Sequence, residues 1–200
     1  QKLMGIAMLV LVPYIMMSQD NRVSLRVLAY QYLQKNQVNE AEAAFVKAIK
    51  ISPDEILNYR DLAILYLTEK NYSKAENIAR AGVKLKPGND EMRAVLAKIY
   101  AQKGEKQNAI NELNTIIKNN GKNIFACYAL ANLYAPGQKN YLLKALSLAP
   151  ANVVIRADLA AILTRNNKAD SAIYYLQEIK KIAPDFSPAI NSFYNQAIQA

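Results

Sequence analysis

Four of the seven prolines in this 200-residue chain fall at 53, 87, 150 and 184, at intervals of 34, 63 and 34. A proline cannot continue a helical hydrogen-bond ladder and pushes the residue before it out of the helical region, so each one closes a segment. Other residues keep the same stride: Ala41, Phe45, Ala48 and Pro53 in "NEAEAAFVKAIKISPDE" return 34 residues later as Ala75, Ala79, Gly82 and Pro87. A period of this length means stacked supersecondary units, none of which buries its own apolar face alone.

Each period holds two helical patterns, such as "LRVLAYQYLQ" and "EAEAAFVKAIKI", parted by the polar turn "KNQVN". The unit is therefore a helix hairpin and the expected class is all-α. Small residues at Ala29, Ala41 and Ala48 let helix backbones approach closely, while Leu25, Leu28, Tyr32 and Phe45 fill the gaps between neighbouring hairpins. The expected units are 22–55, 56–89, 90–123, 124–152 and 153–186, within a domain of 21–186. The interval of 63 is five short of two periods, so 124–152 is a shortened unit. Leu130, Ala131 and Tyr134 open it normally, but Ala145 and Pro150 arrive five residues early after "APGQKN". We assign the loss to the beginning of its second helix. Beyond Pro184, Ala189, Ile190, Phe193, Tyr194 and Ile198 keep helical spacing, which predicts a capping helix over 187–200.

Composition narrows the function. With no histidine and a single cysteine, the chain lacks the commonest general base, the commonest metal ligand and any internal disulfide. Its six glycines are scattered and form no phosphate loop, so no catalytic constellation emerges; no cofactor or metal is expected and the segment is read as non-enzymatic. Cys127, in an apolar run, reads as a small core residue. The net charge of +9 is spread: 56–89 holds six basic and three acidic residues, and 124–152 holds only Lys139 and Lys144. Such a spread favours solubility and a general attraction to anions, whereas a phosphate-tracking groove needs its cations on one face.

Residues 1–20 differ in kind. "LMGIAMLVLVPYIMM", residues 3–17, carries no charge. Fifteen helical residues span about 22 Å, short of the roughly 30 Å of a bilayer core. The chain opens at Gln1, so the stretch is readable as the second half of a membrane-spanning helix; a signal-peptide core and a buried packing helix are the alternatives. The retained transmembrane helix is the reading adopted.

The repeats resemble the tetratricopeptide family, whose 34-residue pattern marks positions 4, 7, 8, 11, 20, 24, 27 and 32. In 22–55 these are Leu25, Leu28, Ala29, Tyr32, Ala41, Phe45, Ala48 and Pro53; in 56–89 they are Tyr59, Leu62, Ala63, Tyr66, Ala75, Ala79, Gly82 and Pro87. Unit 90–123 keeps Leu96, Ala97, Tyr100 and Ala109 but has Leu113, Ile116 and Gly121 at its last marks, and 153–186 has Leu159, Ala160, Leu163, Ala172, Leu176, Ile179 and Pro184. The resemblance implies a right-handed superhelix of about five hairpins, with a concave groove lined by first helices through positions 2, 5, 9 and 12. Carried onto this sequence, it implies partner-binding residues Arg26, Tyr30, Arg60, Ile64, Lys98, Phe125, Tyr128 and Asn132. Cations in the first three units and aromatics in the fourth suit an acidic and apolar peptide. The carboxylate clamp of some members would fall on Arg26, Tyr30, Asp61, Glu91 and Val95, where only the first has the right charge, so chaperone tails are disfavoured.

The expected function is a membrane-tethered scaffold for protein–protein interaction, bacterial, at the inner membrane with its repeats in the periplasm. The alternative is the non-catalytic C-terminal domain of a polytopic membrane enzyme such as a glycosyltransferase or polysaccharide polymerase. RNA binding by 35-residue helical repeats fits the period and the charge distribution less well.

Overall fold

The turn inside four of the hairpins is set by one backbone conformation. Asn36, Lys70, Gly104 and Asn167 hold φ of 58°, 57°, 81° and 54°, and all occupy position 15 of their unit. The left-handed residue stops the first helix and lets the next amide fold back, as in Asn71 N–H to Tyr66 C=O at 2.8 Å and Lys70 N–H to Leu67 C=O at 3.1 Å. The same pair of bonds recurs at Gln37 and Asn36 and at Lys168 and Asn167. Asparagine tolerates this region and glycine enters it freely, while Lys70 bears the strain of a Cβ there.

The computed structural model describes residues 25–134 and 137–184. Helix α1 covers 25–34. It is followed by α2 (Val38–Ile51), α3 (Ile56–Thr68), α4 (Tyr72–Leu85), α5 (Asp90–Gln102), α6 (Lys106–Asn119), α7 (Ile124–Leu133), α8 (Gln138–Leu148), α9 (Val153–Arg165) and α10 (Ala169–Ile182). There is no strand among the described residues. Asn71, Asn89, Asn123 and Asn152 start α4, α5, α7 and α9 by accepting a backbone N–H on their side chains. The proline turns carry a second lock: Tyr59 Oη donates to Pro53 O at 2.9 Å, Arg93 Nε to Pro87 O at 2.9 Å and Arg156 Nη2 to Pro150 O at 2.6 Å. The expected N-terminal apolar helix and the capping helix 187–200 lie outside the described residues.

Two compact units divide the chain between Lys103 and Gly104, inside segment 90–123. In the first, Ala29, Ala41, Ala48, Ala63, Ala75 and Ala79 are buried with Phe45, Leu62, Met92 and Ile99. In the second, Cys127, Ala131, Leu142, Ala145, Ile155, Leu159 and Ile162 form one cluster, and Ala160, Leu163, Ala172, Leu176 and Ile179 another.

Successive hairpins fit by matched sizes. Position 27 of one repeat and position 3 of the next are both buried, and they read Gly82 with Met92, Ala145 with Ile155 and Ile116 with Ala126. At the first of these a Cβ on Gly82 would lie 2.7 Å from Met92 Sδ, so the methionine occupies the space of the missing methyl. In the fourth pair, Asn58 Nδ2 donates to Ala48 O at 3.2 Å.

The fourth unit departs from expectation. The five missing residues do not come from the second helix alone. Helix α7 has 10 residues against 13 in α3, α5 and α9, and α8 has 11 against 14 in α2, α4, α6 and α10. Both helices are cut back at their shared junction, because the opposite ends are fixed by the Asn123 cap and by the turn at Pro150.

Replacing Gly82 by Ala gains about 1 kcal/mol of helix propensity only where space allows. In chemical denaturation, Gly82→Ala should bring no net gain in the wild type but recover that gain in a Met92→Ala background. The expected coupling between the two sites is about 1 kcal/mol or more.

Candidate functional site

Helices α1, α3 and α5 set a chain of ionic groups side by side. Position 6 of the second repeat is Asp61, whose side chain is 1% exposed. A lone carboxylate is too costly to bury, so it is held from both sides. Arg26 Nε and Nη2 donate to its Oδ2 at 2.9 and 2.6 Å, and Arg60 Nε and Nη2 donate to its Oδ1 at 3.1 and 3.0 Å. Arg60 Nη1 then reaches Glu91 Oε2 on α5 at 2.9 Å. Two cations and two anions balance. The anticipated basic lining of the first repeats is thereby corrected: both arginines already have carboxylate partners, and Asp61, anticipated as a repulsive group, is sequestered. Lys98 is exposed and has no partner among the described residues.

Tyr30 and Ile64 meet at a pocket of about 300 Å³, lined also by Leu33, Val38, Phe45 and Leu65, with Asp61, Thr68 and Glu69 at its polar edge. Tyr30 stands edge-on to Phe45, with ring centroids 5.6 Å apart and planes at 87°. Burial raises the Tyr30 hydroxyl pKa, and the Asp61 charge and hydrogen bond add to it against the opposing Arg26. The spacing of Phe45 predicts core filling. It is buried, yet it also supplies part of the pocket wall, which periodicity cannot distinguish from core.

In the second unit, Phe125 on α7 is 52% exposed and Val154 on α9 is 49% exposed. Tyr128 is half-buried and structural: its Oη donates to Asp158 Oδ2 at 2.7 Å. Burial followed by that bond raises its pKa, while a hydrogen bond from exposed Asn132 opposes the shift. Asp158 sits at position 6 of its repeat, as Asp61 does, and each is reached from position 5 of the preceding first helix. The separations are 35 and 30 residues, differing by the five-residue deletion between Tyr128 and Asp158. Cys127 is buried, and burial pushes its thiol pKa up, away from a reactive thiolate. Among the described residues no cluster of potential ligands could hold a metal ion. No described helix is long and apolar enough to cross a membrane.

A further carboxylate position recurs at 21. Glu42 accepts from Tyr66 Oη at 2.7 Å and from Lys74 Nζ at 3.0 Å, with the Lys74 ammonium 5.0 Å from the Tyr66 ring centroid. Glu76 accepts from Lys103 Nζ at 2.5 Å and Arg80 Nε at 2.7 Å. The Tyr66 bond chiefly lowers the Glu42 pKa, and the Lys103 bond chiefly lowers that of Glu76.

The tetratricopeptide repeat family model matches residues 32–99 and 67–134. No curated protein matches the chain by sequence. Among solved structures, MamA 41-end from Desulfovibrio magneticus RS-1 is 14% identical with a TM-score of 0.70, over 84% of this chain and 98% of that one. A tetratricopeptide repeat protein from Parabacteroides merdae is 18% identical with a TM-score of 0.72, over 90% and 73%. YrrB, described as having an unusual peptide-binding site, is 14% identical with a TM-score of 0.64, over 94% and 97%. At these identities the likeness shows the fold.

Asp61→Asn should cost about 2 kcal/mol, less than a fully buried pair because each arginine is about a quarter exposed. Asp158→Asn, whose amide oxygen can still accept from the neutral Tyr128 hydroxyl, should cost less, about 1 kcal/mol at most. Equal shifts in the urea midpoint would contradict this ordering.

The lowered Glu42 and Glu76 pKa values mean that their contribution is present above the ordinary value of about 4.5 and lost as pH falls through their folded values. The thermal midpoint should drop below about pH 4.5, and the double variant Glu42→Gln/Glu76→Gln should show a shallower acid limb. The raised Tyr66 and Tyr128 values have the opposite sense: their contribution is whole below about pH 10 and lost above it.

Proposed function

The chain belongs to the tetratricopeptide repeat family, and we propose that it is a scaffold for protein–protein interaction that receives an apolar, acidic segment of a partner on the face built by α1, α3 and α5. The observation that carries this reading is the Tyr30–Phe45–Ile64 pocket. Tyr30 and Ile64 remain 44% and 43% exposed at its mouth, although both belong to a well-buried hairpin pair. An exposed aliphatic and an exposed aromatic flanking an apolar hollow suit a partner's hydrophobic side chain. Exposed Lys98 supplies the preference for nearby acidic residues. YrrB, with a similar fold, is described as carrying a peptide-binding site. In the second unit, Phe125 and Asn132 form a separate contact surface on α7.

The scaffold is held at a membrane by residues 3–17, and its repeats face the periplasm of a bacterium. The uncharged run from Leu3 to Met17 supports the tether.

Site-specific photocrosslinking tests the binding face. A benzophenone residue at 30 or 64 should yield the same identified protein in cells, and one at Ser73 on the outer surface of α4 should not. Ile64→Asp should lower the yield from position 30 at least five-fold with unchanged helical circular dichroism. Equal yields from 30, 64 and 73 would remove this face from the account.

A further inference from the structure

Arg60 holds two carboxylates of unlike character. Its Nε and Nη2 grip Asp61 Oδ1, and the Asp61 side chain is 1% exposed, which fixes the guanidinium plane. Its Nη1 makes a single bond of 2.9 Å to Glu91 Oε2, and the Glu91 side chain is 69% exposed. Solvent-facing ion pairs of this kind are weak, so a competing carboxylate displaces Glu91 at a cost of about two- to six-fold in affinity. The orientation of Arg60 needs no further ordering, because buried Asp61 already imposes it.

We propose that Arg60 Nη1 is an anchor for a side-chain carboxylate of the partner protein, and that Glu91 is an internal carboxylate occupying that anchor in the free protein. This rests on the reading of the α1–α3–α5 face as the binding face and adds its selectivity. With Glu91 displaced, Arg26, Asp61 and Arg60 together keep one positive charge, which the incoming carboxylate neutralises. Asp61 also borders the Tyr30–Ile64 pocket, so anchor and pocket are contiguous. A partner segment with an acidic residue close to an apolar one fits both. Glu91 sets the threshold: a segment without a carboxylate gains nothing at Arg60, because Glu91 already satisfies it.

The test titrates the full chain with sodium glutarate at constant ionic strength, against sodium chloride, and follows the Arg60 Nε–H signal by heteronuclear NMR, assigned by its loss in Arg60→Lys. The wild-type signal should move saturably with glutarate, and the midpoint should fall about two- to six-fold in Glu91→Gln. Glu91→Ala should show an equal or larger fall, and keeps the test open if the glutamine variant folds poorly. No glutarate-specific movement, or a midpoint that is unchanged or raised without Glu91, overturns the proposal. Crosslinking from 30 and 64 without a glutarate effect would reject this inference alone; a glutarate effect without crosslinking would reject the binding-face reading and, with it, a partner protein as the occupant of the anchor.

Discussion

The close approach of one hairpin to the next is the contact on which the architecture of each unit depends. A helix of 13 or 14 residues with only one apolar face is marginal alone, and its stability comes from what it packs against. Where Gly82 meets Met92, the methionine side chain of α5 fills the space that a Cβ at position 82 would take. The paired positions exchange bulk between repeats, large against small in either order, so each interface is filled without a common residue at either site. That freedom lets the repeats of this chain differ in sequence while the hairpin spacing stays fixed.

Much of this was legible from the sequence for a physical reason. Backbone-limited features repeat because they admit few residue types: the prolines at 53, 87, 150 and 184 end helices, and the alanines at 29, 41 and 75 lie where helix axes converge. Gly82 keeps the repeat register, but the reason for a glycine there is Met92, ten residues away and in another helix. The left-handed turn residue was hidden because asparagine, lysine and glycine all occupy it, and no single identity marks the conformation.

The candidate site was legible as a set of positions and not as a state of charge. Period and register bring Arg26, Arg60 and Glu91 to adjacent first helices, yet the sequence treats Arg26 and Arg60 as free cations. Burial of Asp61 changes their meaning: a carboxylate removed from water draws in both guanidiniums, and the charge of each is committed before any partner arrives. Tyr128 illustrates the same point with a neutral donor. Its position suggested a contact residue, but its hydroxyl ties α7 to α9 through Asp158, and Phe125 is left as the exposed aromatic of that pair.

The shortened repeat shows which parts of a hairpin the stack requires. Loss of five residues from one helix alone would shift that helix relative to both neighbours. Dividing the loss across the junction of α7 and α8 leaves the start of α7 under its Asn123 cap and the end of α8 at the Pro150 turn, and these are the ends that hold register. Leu142 and Ala145 accordingly remain fully buried beside Ile155 and Leu159. What is surrendered is cover at the far end. Helix α8 begins late, and a pocket of about 420 Å³ opens between Lys139 and Leu143 on one side and Asp170, Tyr174 and Tyr175 in the first turns of α10 on the other. Tyr174, 56% exposed there, is the mark of the missing helical turn. Continuity of stacking therefore depends on the end of each hairpin that joins it to the next repeat, and the opposite end can retreat by nearly a turn without breaking it.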